Sequence, residues 1–316
     1  TAASLLATSG AESDRQLAVD TLERLASDTR ADAAEARREF AAGLAQIPRR
    51  DLHGLLVSLI HDSDVSVARE AIRSARAIGA GVPIFVPALC SLLRHRLLKR
   101  EAREALVGYG EEVVPTLAHL LHDPDEDPWV RRHVPATLAM VPTQASLDAL
   151  VATLSDADGF LRFKVIEAID TLRRARPSLT FDANAIEPLV LKECNRFCNY
   201  LTLRHNVVTV SAGNSQTLLA RTLTDKLNRT LDRIYRLLGL IYPWKDIDDA
   251  RFTLEHGSGR ARSSALEYLE HLLRGPVRAR VIPLIDDISI DDRVRHANLA
   301  LKTRPRDLPD TLAQLI

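Results

Sequence analysis

Net charge, aromatic rings and cysteine are all scarce in this sequence, and each scarcity removes a class of function. Lys+Arg and Asp+Glu balance at 42 each. The chain as a whole therefore lacks the electrostatic footprint of a dedicated nucleic-acid binder, and any basic surface must be local. Aromatic residues make up 4%, few for the stacking rows that hold single-stranded bases. Three cysteines, Cys90, Cys194 and Cys198, give no even framework and no CxxC pair. That argues against a disulfide scaffold and suits buried thiols in a reducing, cytoplasmic compartment. Uncharged apolar runs such as LLGLIYPW at 237–244 fall far short of the roughly 20 residues of a membrane helix. HExxH, P-loop, GxGxxG and GxSxG patterns are all missing. TAASLLATSG carries neither an initiator Met nor the charged region of a secretory signal, and reads as a processed end or, ahead of that, as the end of a fragment cut from a longer protein.

What is present is repetition. Hydrophobic content of 46% beside 27% charge describes a folded chain of 316 residues. Small or apolar residues recur at Phe40, Ala71, Ala102, Val134 and Val165, at spacings of 31, 31, 32 and 31. Seven positions after each anchor stand Ile47, Ile78, Tyr109, Val141 and Leu172, and four of these are followed by Pro48, Gly79, Gly110 and Pro142. Glycine and proline stop a helix, so each helix is expected to end at the same point of its unit. An apolar helix precedes each one: LHGLLVSLI, VPALCSLL, VVPTLAHLL and LDALVATL. A helix pair of this size buries its apolar face only against neighbouring pairs, which predicts an all-α fold, an α-solenoid of helix–turn–helix units.

The segment SLIHDSDVSVAREAIRSARAIG resembles a HEAT repeat: a leucine-rich first helix, an Asp-x-Asp turn, and an alanine-rich second helix ending near Gly. LSDADGFLRFKVIEAI and PLIDDISIDDRVRHANLAL repeat the match. The resemblance implies an architecture and leaves the function open, because HEAT arrays serve many roles.

From Pro177 to about Trp244 the rhythm stops. Two longer helices are expected, over DANAIEPLVLKECNRFCNYLTLRH, with Asp182 as N-cap, and over SQTLLARTLTDKLNRTLDRIYRLLGLIY, with NVVTVSAGN between them as a loop. Repeats resume afterwards, with Asp246 as a cap and Gly257 as a stop. The expected organisation is 1–176, 177–244 and 245–316 in one continuous superhelix. On the second long helix Lys226, Arg229, Arg233 and Arg236 follow one another by 3, 4 and 3 residues and so share a face. That face is either a surface for phosphates, anionic lipid headgroups or an acidic partner, or a solvated stripe offset by Asp225 with Arg229 and Asp232 with Arg236.

LLGLIYPWKDIDDARFTLEHGSGRARSSALEYLEHLLRG resembles a more particular group, the HEAT-containing cytosolic regions attached to bacterial membrane proteins of the ATP:ADP antiporter (nucleotide transporter) and major-facilitator-like families. His271 stands where that pattern prefers Asn. The resemblance implies a cytosolic scaffold beside a transporter, at the cytoplasmic face of the inner membrane.

HDPDEDPWVRRH, at 122–133, has the look of a metal site. Yet Asp62 with Asp64, Asp123 with Asp125, and Asp156 with Asp158 occupy one place in successive units, between first and second helices, where an aspartate caps the helix that follows. HDPDEDPWVRRH then reads as a turn lengthened by two residues, with Pro128 at the helix start and Trp129 covering the corner. The unit at 92–102 instead carries Arg94, His95, Arg96, Lys99 and Arg100, as a register device between units or as a recognition patch. Cys194 and Cys198 offer only two ligands from one helix and read as buried thiols. No cofactor, metal or catalytic group is expected. A noncatalytic scaffold for a protein partner or an adjoining membrane domain leads, with an anionic membrane surface as a further partner. A nucleic-acid-binding, DNA glycosylase-like HEAT protein and a HEAT-type bilin lyase are the alternatives.

Overall fold

The computed structural model describes residues 12–28, 30, 33–47, 50–79, 81–154, 159–210 and 215–302. The described residues are all-α, without a strand, and no helix among them is long and apolar enough to cross a membrane. The chain divides into two compact units, Thr1–Pro177 and Ser178–Ile316.

The first unit contains α1 (Glu12–Ser27), α2 (Ala34–Leu44), α3 (His53–Ile60), α4 (Val65–Ile78), α5 (Val86–Ser91), α6 (Lys99–Val107), α7 (Val114–His122), α8 (Pro128–Leu138), α9 (Gln144–Thr153) and α10 (Gly159–Ala175). These stack as helical hairpins in two layers, the α-solenoid arrangement. One layer runs α2, α4, α6, α8, α10, each against the next; in the other, α1 meets α3, α3 meets α5 and α7 meets α9. The five anchors Phe40, Ala71, Ala102, Val134 and Val165 are all buried along the α2-to-α10 layer. Alanine at two of them leaves room for close approach, and leucines of the first helices, such as Leu56, Leu89, Leu117 and Leu150, fill the seam.

Helix ends follow the sequence signals in part. Gly79, at φ +88°, terminates α4 with its N–H on Ala75 O, in backbone geometry that a side chain would strain. α6 and α8 end earlier than expected, at Val107 and Leu138. Tight turns close them instead, Tyr109 N–H to Leu106 O at 3.0 Å and Val141 N–H to Leu138 O at 2.9 Å. These turns bring Tyr109 and Val141 back into the core. Pro48 lies outside the described residues.

The second unit contains α11 (Ala183–Val210), α12 (Leu218–Ile241), α13 (Trp244–His256), α14 (Gly259–Leu272), α15 (Gly275–Ile285) and α16 (Ile290–Leu301). α11 and α12 form the expected long pair, and Asp182 opens α11, accepting from Asn184 N–H at 2.9 Å. NVVTV is no loop: α11 continues through Asn206–Val210. Val207 is buried with Leu203, Ala220 and Leu223, so tertiary packing overrides the β-branched propensity. SAGN, 211–214, lies outside the described residues. The helices after α12 do not simply run onward, because α15 and α16 return to pack on α11, where Thr202 and Asn298 meet. Asp246 is no cap: α13 starts two residues earlier, after Pro243, and the Asp246 carboxylate accepts the Tyr268 hydroxyl at 2.6 Å. Gly257 does follow the last residue of α13, with φ −74°. Its reason is space, since a Cβ there would meet Thr253 O at 2.5 Å.

Candidate functional site

The basic stripe expected on α12 is not one surface. Arg233 is buried at 7% exposure, its Nε donating to Glu193 Oε2 at 2.9 Å and its Nη2 to Thr230 Oγ1 at 2.9 Å. This corrects its assignment to an outward face. The four do share a face, but spacing alone does not say where α11 covers that face, and at Arg233 it does, through Glu193. Arg236 donates to Asp232 at 2.8 Å, as its i,i+4 spacing predicts, and Arg251 reaches the same carboxylate at 2.6 Å. Burial works to raise the Asp232 carboxyl; the two guanidinium hydrogen bonds outweigh it and hold the group below its ordinary value. Lys226 and Arg229 are exposed, with the Lys226 ammonium 5.3 Å from the Tyr200 ring.

In the first unit the acidic turns act as structure. Asp64 caps α4, its carboxylate accepting from Ser66 N–H at 2.8 Å and Val67 N–H at 3.4 Å. Asp127 caps α8 through Trp129 N–H at 2.8 Å, with Pro128 in the first turn. Asp62, Asp123 and Asp125 are not helix caps. Asp62 accepts two bonds from the buried Arg37, at 2.6 and 3.1 Å. Asp123 accepts from Asp125 N–H at 2.9 Å within the enlarged turn. Asp156 and Asp158 lie outside the described residues. The basic ridge meets this system directly, because Arg94 Nη1 donates to Asp127 at 2.9 Å. Hydrogen bonds from Arg94 and from the helix backbone depress the Asp127 carboxyl. Arg69 bonds Glu101 at 2.9 Å and Arg76 bonds Glu104 at 3.4 Å across successive second helices. Arg96 and Arg100 point to solvent, Arg100 only 4.0 Å from Glu104. Lys99 is half-buried.

A feature that sequence reasoning passed over lies beside this ridge. Leu97, Trp129 and Phe160 are 57%, 61% and 50% exposed, and each stands five residues before its anchor, at Ala102, Val134 and Val165. The 31-residue period of the core carries these exposed positions too, at spacings of 32 and 31. The Arg132 guanidinium lies between two of the rings, 5.3 Å from Trp129 and 4.9 Å from Phe160. On the adjoining stripe, burial presses the His133 imidazole below its ordinary value, and the charges of Lys99, Arg103 and Lys164 press it further. α6 with the turn before it, α8 and α10 thus present a short face of exposed apolar side chains and converging cations.

Other features carry less chemistry. Cys90, Cys194 and Cys198 are free and buried, and burial pushes their thiols up to about 12, about 12 and about 11. Such thiols are poor nucleophiles and poor metal ligands. Among the described residues no group of three or more His, Cys, Asp or Glu is placed to share a metal ion. A groove of about 350 Å³ between α13, α14 and the α15–α16 turn is lined by charges of both signs, among them Arg262, Glu270, Asp286 and Arg293.

Comparison with known proteins places residues 86–170, from α5 into α10, as similar to the family of HEAT repeats. No curated protein matches the chain in sequence. Two crystal structures of engineered proteins, Northeast Structural Genomics Consortium targets OR497 and OR329, are each 16% identical. The first covers 95% of this chain and 98% of its own at a TM-score of 0.28; the second covers 89% and 96% at 0.21.

Proposed function

We propose that this chain is a noncatalytic repeat scaffold that docks a protein partner on the face formed by α6, α8 and α10. The observation that carries this reading is the recurrence of Leu97, Trp129 and Phe160, large and exposed, at one position of three successive units. Exposed apolar residues scattered singly are ordinary; a row in register points to an interface. The region similar to HEAT repeats coincides with that face, and stacked second helices are the usual gripping surface of such arrays. Among the described residues the three thiols are buried, and Asp64, Asp127 and Asp62 are taken up as helix caps and ion-pair partners, which supports a noncatalytic reading.

The sequence of residues 237–275 supports a finer reading: a cytosolic docking or regulatory region of a larger, transporter-like membrane protein, at the cytoplasmic face of the inner membrane. Free buried thiols in a helix that carries Cys194 and Cys198 one turn apart fit a reducing compartment. Lys226 and Arg229, exposed on α12, are the residues for an anionic membrane surface.

A photo-crosslinking residue at position 132, in cells of the source organism, tests the scaffold. One protein adduct is expected, absent when the same residue is placed on the exposed side of α1 and lost when Trp129 is also changed to Ser. Adducts of equal yield from α1 and α8 would sink the reading. For the membrane, flotation with anionic vesicles should be weakened by Lys226→Glu with Arg229→Glu; equal flotation of that variant removes α12 as a membrane surface.

A further inference from the structure

We infer that the face of α6, α8 and α10 takes an acidic peptide segment carrying bulky apolar side chains at intervals of about three residues; the inference rests on the scaffold reading and specifies its partner.

Charge is the first support. α8 is PWVRRHVPATL, with three basic residues and no carboxylate. Arg131 turns inward to Leu121 O at 2.9 Å, which leaves Arg132 and His133 for the outer side. Around His133 stand Lys99 and Arg103 from α6 and Lys164 from α10, of which Lys164 also donates to Glu167 at 2.9 Å. Arg103 has the neutral Thr137 hydroxyl as its hydrogen-bond partner, at 3.3 Å. In the preceding unit the same kind of face is neutralised, with Arg69 on Glu101 and Arg73 on Glu70 at 3.1 Å. Like charges gathered without enough counter-charge leave a site that an anionic ligand completes.

Arg132 is the second support. Among the described residues it makes no ion pair; its contacts are the two ring faces. A guanidinium held against ring faces keeps N–H groups that these contacts do not use, and these can receive a carboxylate through two parallel hydrogen bonds.

Spacing gives the third. Packed helices lie about 8–10 Å apart, so Leu97, Trp129 and Phe160 make a row about 20 Å long. A peptide in the polyproline II conformation advances about 3.1 Å per residue with three residues per turn, so apolar side chains at every third position share one side and meet successive units about 9 Å apart, while the acidic residues between them flank that row toward Arg132, Lys99 and Lys164. A nucleic acid fits less well. The ring faces that would stack on bases are turned to Arg132, and Glu101, Glu104, Glu167 and the 123–127 turn border the patch, against a continuous phosphate backbone.

Fluorescence anisotropy on the full chain tests this with four labelled probes. One peptide has Phe at every third position among Asp and Glu, a second has Ser for each Phe, a third has Asn and Gln for the acids, and the fourth is oligo(dT). The first peptide is expected to bind and the other three to bind at least about tenfold more weakly. Trp129→Ser and Arg132→Glu should each weaken the first by about tenfold or more, Arg132→Lys by less, and Lys226→Glu not at all, with unfolding midpoints unchanged. Equal binding of the Ser or amide peptide, tighter binding of oligo(dT), or indifference to Arg132→Glu overturns the inference. If no peptide binds while the crosslink at position 132 persists, the ligand class falls and the scaffold stands; if both fail, both fall.

Discussion

Arg233 and Glu193 join the middles of the two longest helices, Nε to Oε2 at 2.9 Å, with the residues 7% and 1% exposed. Arg196 reaches the other oxygen of the same carboxylate. Two charges so deep in a helix pair set its register as much as its strength. Glu193→Ala strands the buried Arg233 and should cost about 3–5 kcal/mol, whereas Arg233→Ala leaves Arg196 on the carboxylate and should cost less. Glu193→Leu together with Arg233→Met should recover most of the Glu193→Ala loss. Urea unfolding of the four proteins checks it, and a double variant as weak as Glu193→Ala would show that the stranded charge is not the reason.

Space at Gly257 gives a second prediction. Gly257→Ala pushes a methyl group against Thr253 O and toward Ala261 Cβ, 3.3 Å away, and should cost about 1–3 kcal/mol. Two residues on, Gly259→Ala meets nothing within 4 Å and should be neutral or stabilising by about 0.5 kcal/mol. Thermal unfolding separates the pair.

The thiols should be silent in the native chain. With Cys90, Cys194 and Cys198 pushed up to about 12, about 12 and about 11 by burial, a thiol reagent at neutral pH should label none of them over minutes and all of them in urea. Rapid native labelling of Cys194 or Cys198 would mean that the α11 core opens locally.

Two pH windows follow from the depressed groups. His133 has a folded-state value below its ordinary 6.5, so the unfolded chain binds its proton first. Its contribution to stability is complete above about pH 6.5 and lost as pH falls through the lower folded value. His133→Gln should flatten urea midpoints measured between pH 7.5 and 5.5. Asp64 and Asp127 are likewise depressed, by hydrogen bonds from Ser66 and from Arg94. Their contribution is present above about pH 4 and disappears only below it. An acidic peptide should reverse the pressure on His133, so that binding near pH 6 takes up protons. Calorimetry in buffers of different ionisation enthalpy measures that uptake, and equal heats would separate His133 from the ligand.

How far the sequence could be read depended on whether a position answers to local chemistry or to a distant neighbour. Asp64 and Gly79 act within four residues of themselves, and their roles could be read directly; in the lengthened turn the cap fell to Asp127 rather than to Asp123 or Asp125. The buried anchors were equally legible, because a core face leaves a period. Arg233 was misread because its partner is 40 residues away and helical spacing alone cannot tell a wet edge from a dry one. Asn206–Val210 was misread for a related reason: Val207 is held by Ala220 and Leu223 across the hairpin, and β-branched propensity is too weak to resist them. The apolar row of Leu97, Trp129 and Phe160 was written in the same period as the core and needed only the complementary question.

The cross-unit bonds make the order of the hairpins part of the fold. Arg69 finds Glu101 and Arg94 finds Asp127, each one step further along the stack. The hairpins look like copies, yet each carries the complement of its successor. If residues 92–122 were excised, the residue opposite Arg69 would become His133, a proton-binding imidazole in place of a carboxylate, and Asp127 would lose Arg94. The gap would not heal into a shorter version of the same protein. Duplication of a hairpin faces the same mismatch at its seam, so these units behave as words in a sentence, fixed in sequence, and a viable change of length must bring its own matching neighbours.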